Sequence, residues 1–228
     1  YTNIVALDKN AAVLHYQQKN KNRPNISKVL LIDAGCRVNG YSSDVTRTSA
    51  KRTVNETFKE LLAGMEIIEQ ELVLLLKPSI AYPEIHLTAL KKIGQLLIDL
   101  AICGGTADEL LENEIPQLFM PHGVGHLLGI QVHDVGGHQQ NISGKIKLPP
   151  NHSPNLRNTR KLNKGMVFTI EPGCYFIPLL LEPERTTKRG SVINWKLIDE
   201  LYPCGGIRVE DNVLITSNGV ENLTRQYE

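Results

Sequence analysis

The strongest constraint on how this 228-residue chain can fold is the placement of its acidic residues relative to its apolar runs. Val29-Leu30-Leu31-Ile32 is unbroken apolar sequence that closes on Asp33. Met166-Val167-Phe168-Thr169-Ile170 closes in the same way on Glu171. Ile207-Arg208-Val209 runs into Glu210-Asp211 and straight on into Val213-Leu214-Ile215. Short apolar runs bounded by turn residues read as buried strands. A carboxylate at the rim or in the middle of such a strand must shed water, which is costly without a compensating partner. Glu210-Asp211 in particular is hard to explain without a cation.

A second acidic residue lies close after Asp33. Residues 36–40 read as a turn, and Tyr41-Ser42-Ser43-Asp44-Val45-Thr46-Arg47-Thr48 reads as a returning strand. An antiparallel pair built this way can aim Asp33 and Asp44 at one point. The alternative is two unrelated surface aspartates. Upstream, Ile4-Val5-Ala6-Leu7 and Ala12-Val13-Leu14-His15-Tyr16 read as two short strands about the polar turn Asp8-Lys9-Asn10, with His15 at a sheet rim or against a substrate. The polar loop of residues 20–27 follows.

Between the acidic strand ends lies a Gly-rich stretch, Pro121-His122-Gly123-Val124-Gly125-His126, followed by Gln131-Val132-His133-Asp134. Three of the seven histidines of the chain fall here. Glycines between the first two permit close backbone approach, and clustered imidazoles suit a metal or proton-transfer site.

The remaining sequence reads as scaffold. Thr53-Val54-Asn55-Glu56 has the pattern of a capping box opening a helix, and apolar residues recur at helical spacing from Phe58 to Lys77, where Pro78 stops it. This helix reads as packing only. A second helix is predicted over 82–103, with Pro83 in its first turn, Gly104-Gly105 after it, and His86 as a structural residue. Thr106-Ala107-Asp108-Glu109 is a second capping box, opening a short helix. Residues 136–154 read as a long polar loop with His138 and His152 solvated, and long loops in compact domains are often functional. Residues 179–191 read as an irregular charged insertion, and 195–201 as a short helix.

Composition removes several function classes. Net charge is +1 and no basic block is present, so nucleic acid is not suggested. There is no run of eighteen apolar residues to span a membrane. Cys36, Cys103, Cys174 and Cys204 are scattered without a C-x-x-C spacing, which suits reduced thiols in a cytoplasmic protein better than a disulfide framework or a thiolate zinc site. The chain shows neither initiator Met nor signal peptide, and it reads as a fragment.

Asp33, Asp44, Glu171 and Glu210 together are too much charge for one cation. Two divalent ions balance them, with an imidazole completing the ligand set. Carboxylate-rich ligation of this kind favours Mn²⁺, with Co²⁺ and Zn²⁺ borderline. Paired ions of this type activate water and polarise a carbonyl, so the implied chemistry is hydrolysis.

Five segments carry a resemblance: Asp33-Ala34-Gly35, Asp44-Val45-Thr46-Arg47-Thr48, His122-Gly123-Val124-Gly125-His126, Thr169-Ile170-Glu171-Pro172-Gly173 and Arg208-Val209-Glu210-Asp211-Asn212. In this order, and with Asn222-Leu223-Thr224-Arg225 near the end, they resemble the pita-bread metallopeptidases, above all the bacterial Xaa-Pro dipeptidases. The resemblance implies an α+β pita-bread fold, a curved and mainly antiparallel sheet covered by helices. It implies a dinuclear centre ligated by Asp33, Asp44, His126, Glu171 and Glu210, with Asp44 and Glu210 bridging, and hydrolysis of Xaa-Pro dipeptides by a metal-bridging hydroxide. It gives His122, His133 and Glu171 catalytic roles: Glu171 relays a proton and His133 hydrogen-bonds the oxyanion. It makes Arg157 the clamp for a dipeptide carboxylate, His15 and Tyr41 further substrate contacts, and Arg208 a substrate contact or a support for a ligating carboxylate.

Relatives of this kind carry an N-terminal domain, used in dimer contacts, and further helices before the position of Tyr1. Residues 1–228 are therefore expected to be the C-terminal catalytic domain, incomplete at its N-terminus, of a cytoplasmic homodimer. Leu127-Leu128 departs from the polar or Pro residues that often follow the corresponding histidine, which implies an altered substrate pocket. Two other functions share the same residues: hydrolysis of organophosphorus esters at the same centre, and a non-catalytic pita-bread binding module.

Overall fold

The computed structural model describes residues 2–22 and 24–227. β1 (Ile4–Leu7) and β2 (Val29–Ala34) pair antiparallel. A minimal hairpin of β3 (Arg37–Val38) and β4 (Tyr41–Ser42) follows, and β5 (Val45–Ala50) returns along β2. The register places Asp33 between Ile4 and Thr46. Ile4, Ala6, Leu31 and Asp33 are buried while Val5 and Ile32 are exposed, the alternation of a sheet with one covered face.

Two strand expectations are corrected here. Residues 8–12 form a 3-10 turn and residues 13–16 are irregular. Asp8 adopts a positive φ of 53°, and its carboxylate accepts from the main-chain N–H of Lys28 and Val29 at 2.7 and 3.0 Å. That bond turns the chain away, and β2 takes the place beside β1. The expected strand from Tyr41 to Thr48 is also split, because Ser43 and Asp44 leave the ladder between β4 and β5.

α1 (Glu56–Leu74) and α2 (Tyr82–Asp99) supply most of the helical cover. Phe58, Leu61, Met65 and Leu72 of α1 meet Ile85, Leu90, Ile93 and Leu97 of α2 in the main core. Fully burying each such side chain stabilises the fold by about 1.5–3 kcal/mol. The expected capping box at Thr53 is not formed: Asn55 is the N-cap but makes no side-chain cap bond, and its amide instead donates to Glu200 at 3.3 Å. Both helices stop earlier than the pattern suggests. α2 ends before Ala101, which takes a left-handed φ of 54°. α3 (Ala107–Glu112) opens with the predicted Thr106–Glu109 capping box, and α4 (Ile115–Phe119), unforeseen, follows it.

The second sheet has the order β10-β9-β6 and is built from β6 (Val167–Ile170), followed in the chain by β7 (Gly173–Tyr175), α5 (Pro178–Leu181), α6 (Trp195–Leu201), β8 (Gly206–Arg208), β9 (Asp211–Ile215) and β10 (Val220–Asn222). β7 and β8 form a separate antiparallel pair. The charged segment expected to be irregular is thus largely helical, as α5 and two 3-10 turns. The strand expected to run through Glu210 is broken at Val209-Glu210, where the main chain changes partners. Val209 N–H donates to Pro172 O, and Glu210 N–H crosses to Thr46 O at 3.1 Å.

That crossing joins the two sheets. Thr46 and Glu210 form an isolated antiparallel bridge. Beside it the Thr48 hydroxyl donates to Arg208 O and accepts from Arg208 N–H, at 2.9 and 3.1 Å. α1 is more than packing: Glu69 is fully buried, and Arg225 ties it to Asp211 and Glu66. Burial and the neighbouring Asp211 charge push the Glu69 carboxyl up to about 8, so it holds its proton at neutral pH. No helix of the described residues is long and apolar enough to cross a membrane.

Candidate metal centre

The acidic strand ends converge on one cavity of about 510 Å³, lined by Asp33, Asp44, His126, Glu171, Arg208 and Glu210, with His15, His122, His133, His138 and Arg157 also on its wall. Asp33 comes from β2, Asp44 from the break before β5, Glu171 from the end of β6 and Glu210 from the break before β9. Asp33, Asp44, His126 and Glu210 are all buried.

Ligand atoms of Asp44, His126 and Glu210 lie within 4.8 Å of one another. His126 Nε2 is 3.5 Å from Asp44 Oδ2 and 3.5 Å from Glu171 Oε1. Its Nδ1 lies 3.0 Å from Leu127 O; a proton there donates to that carbonyl and leaves Nε2 with a lone pair facing the carboxylates. Gly125 lets this loop press onto β6, since a Cβ there would meet Thr169 O at 2.0 Å.

Burial pulls the His126 pKa down, but the Asp44 hydrogen bond and the Glu171 charge outweigh it and raise the value. Burial raises Glu171 to about 7, with His126 and Arg208 opposing and Asp44 and Asp33 adding. Burial and the charges of Glu171, Asp44 and Asp33 put Glu210 well above the ordinary carboxylate range. Glu210 Oε2 accepts from Thr46 Oγ1 at 2.6 Å, but its Oε1 is buried with no hydrogen-bond partner. A buried acceptor with no donor is costly. Hard carboxylate oxygens, one imidazole nitrogen and an orphaned acceptor together fit divalent cations.

Arg208 is buried beneath the cluster. It donates to Asp33 Oδ2 at 2.5 Å, to Thr46 Oγ1 at 3.1 Å and to the Tyr175 hydroxyl at 3.0 Å. This is the geometry of a support for a carboxylate. Tyr175 in turn lies 3.0 Å from His122 Nε2, and His122 Nδ1 lies 2.7 Å from Gly123 O. Burial and the Arg208 charge lower the His122 pKa to about 3, so the ring is neutral. Both its nitrogens are engaged by protein groups, where the sequence reading has it acting on substrate. His133 stacks edge-on against His126 at 4.4 Å and is held to about 4 by burial and then by the His126 charge. His15 follows at 6.2 Å from His133.

Two expectations fail on position. Tyr41 is 65% exposed and lines a separate depression with Leu128, Ile130 and Thr224. It is not among the residues that line the carboxylate cavity. His138, expected to be solvated, is half-buried on the cavity wall, its Nε2 at 2.9 Å from Leu156 O. His86 is structural, as expected, bonded to Ser153. Tyr175, Thr46, Thr169 and Asn212 were not foreseen. They are ordinary strand residues in sequence, and only their proximity to proposed ligands could have signalled them.

The model of metallopeptidase family M24 matches residues 1–217. The chain is 45% identical over 228 residues to the Xaa-Pro dipeptidase of Aeromonas hydrophila and 42% identical over 227 to that of Pseudoalteromonas atlantica, matching 99% of this chain and 51% of the relative in each case. Zinc-substituted Escherichia coli aminopeptidase P in complex with product superposes with a TM-score of 0.76 at 29% identity, covering 99% of this chain and 44% of that one. The Pseudomonas aeruginosa aminopeptidase gives 0.75 at 29% identity, over 99% and 44%. The chain therefore belongs to metallopeptidase family M24, with the pita-bread fold of that family. It spans about half the length of the curated relatives it matches.

Proposed function

We propose that the protein is a metal-dependent dipeptidase that hydrolyses Xaa-Pro dipeptides. The observation that carries this reading is the buried convergence of Asp44, His126 and Glu210 beside Glu171 and Asp33, with a carboxylate oxygen left without a donor. Asp33, Asp44, His126, Glu171 and Glu210 would hold two divalent ions, Mn²⁺ being the best match to the donor set. Such ions supply a water nucleophile at neutral pH and polarise the scissile carbonyl.

The remaining work falls to side chains of this chain. Glu171, on the cavity wall beside His126, would take the proton lost by water and return it to the departing proline nitrogen. His133, half-buried on the cavity wall against His126, would hydrogen-bond the carbonyl oxygen as negative charge builds there. Arg157 stands exposed on the cavity wall, where a planar guanidinium suits the terminal carboxylate of a dipeptide. A C-terminus bound on the wall of the same cavity would favour short substrates. His122 is assigned a lesser role: with Tyr175 it connects the cavity wall to Arg208 and thereby to Asp33. The names of the 42–45% identical relatives support the same substrate class.

The test is proline release from Ala-Pro by chelator-stripped protein reloaded with Mn²⁺. Two equivalents of bound metal and metal-dependent release are expected. Asp44→Ala should abolish both, since that carboxylate is proposed to serve both ions. Protein that holds two equivalents yet releases no proline from any Xaa-Pro dipeptide overturns the reading.

A further inference from the structure

We infer that Asn212 is a positioning residue for the metal centre, its side-chain amide fixing the main chain of Asp44 and so setting the separation of Asp44 from Glu210. The inference rests on the two-ion reading above. Asp44 and Glu210, the proposed bridging pair, immediately precede β5 and β9, strands of different sheets, so what ties the two chain segments together there sets the spacing of the pair.

Among the described residues, the main-chain join between the two sheets is the Thr46–Glu210 bridge. Arg47 reinforces it, donating to Thr46 O at 3.0 Å and to Glu210 O at 2.9 Å. These contacts hold Glu210 but stop short of Asp44, which has already left the ladder. Asn212 continues the seam. Its Oδ1 accepts from Asp44 N–H at 3.0 Å and its Nδ2 donates to Asp44 O at 2.6 Å. The amide thus pairs with residue 44 as a neighbouring strand would, with one donor and one acceptor in the same two places.

The amide is itself held in place. Asn212 N–H and Nδ2 both donate to Thr224 Oγ1, at 2.9 and 3.2 Å, and Leu223 N–H donates to Asn212 O at 2.8 Å. The residue is buried in β9, opposite Thr169 of β6. An aspartate here would lose the donor to Asp44 O and add charge beside carboxylates already short of counter-charge. Groups that orient a metal ligand in this way change metal affinity without touching the metal.

The test uses the intact protein, stripped of metal and titrated with Mn²⁺ by calorimetry, with electron paramagnetic resonance of the loaded form. Wild type should take two equivalents and show exchange-coupled ions. Asn212→Ala should bind the first equivalent within about 3-fold of wild type and lose at least ~10-fold in affinity for the second, with the coupled signal replaced by that of isolated ions. Thr224→Ala, which frees the amide to turn, should show a smaller loss in the same order. Unchanged binding and an unchanged coupled spectrum in Asn212→Ala overturn the inference. So does an equal loss at both sites in step with a lower metal-free melting temperature, which marks a purely structural role. Should Asn212→Ala not fold, Thr224→Ala decides alone: a selective loss of the second ion supports the inference and wild-type binding overturns it. A wild type that takes up fewer than two equivalents overturns the two-ion reading, and this inference with it.

Discussion

Glu171 allows the electrostatic cost of gathering these carboxylates to be measured directly. Its carboxyl is held up to about 7, chiefly by burial, against an ordinary value of 4.5. At pH 4 folded and unfolded chains both carry the proton. As pH rises the unfolded chain releases it first, so stability is lost progressively above 4.5 and the loss is complete above about 7. Each pH unit of separation is worth about 1.4 kcal/mol, which gives roughly 3 kcal/mol for this group. Glu171→Gln cannot titrate. In chelator, the stability of the variant relative to wild type should therefore rise by roughly 3 kcal/mol between pH 4 and 8, or about 6–12 °C in melting temperature. Taking the difference matters, because other groups move in the same interval. His122 and His133, lowered to about 3 and about 4, are costly to protonate in the fold, so they favour stability as pH rises. Their contribution cancels in the comparison; those of His126 and Glu210, which the Glu171 charge raises, do not, and they change in the same sense. With Mn²⁺ added the order should reverse, since the variant lacks a ligand. A metal-free difference that stays flat, or grows toward acid, would refute the account of this cluster.

Three further outcomes follow from the geometry. Arg157→Met should raise KM for Ala-Pro at least about 10-fold with kcat little changed, because it removes binding shared by ground and transition states; a selective fall in kcat would place the residue elsewhere in the reaction. Arg225→Ala strips the buried Asp211 of one of its two arginine partners and leaves Arg47, and urea unfolding should show a loss of about 1.5–3 kcal/mol, whereas an unchanged midpoint would mean that the contact contributes nothing. Gly125→Ala sets a methyl against Thr169 O and the Tyr82 hydroxyl, at 2.0 and 2.4 Å, and should destabilise the protein by more than about 2 kcal/mol on thermal unfolding.

The acidic strand ends, the amphipathic helices and the order of the motifs are all legible in the amino-acid sequence. These are local: a carboxylate following Val29-Leu30-Leu31-Ile32 is unfavourable in any buried strand, and helical spacing identifies α1 and α2 without reference to neighbours. The hairpin geometry that brings Asp33 near Asp44 was legible for the same reason, since strand pairing across a short turn is a local event. Where local patterns misled, a distant group had taken over. Asp8 binds the main chain of Lys28 and Val29 while residues 13–16 stay out of the sheet, and the Asn55 amide N–H donates to Glu200 while its oxygen makes no cap bond to α1.

How the two sheets meet is a property of the packed fold. Nothing near Glu210 in sequence shows that its N–H would leave β9 for Thr46, that Asn212 would take up the main chain of Asp44, or that Arg208 and Tyr175 would link Asp33 to His122. These contacts span more than thirty residues and up to 175. Their energy comes from satisfying buried polar groups that no local partner reaches. The sequence thus identifies which side chains carry negative charge into the core. The spacing that makes them a candidate site for cations belongs to the packed fold.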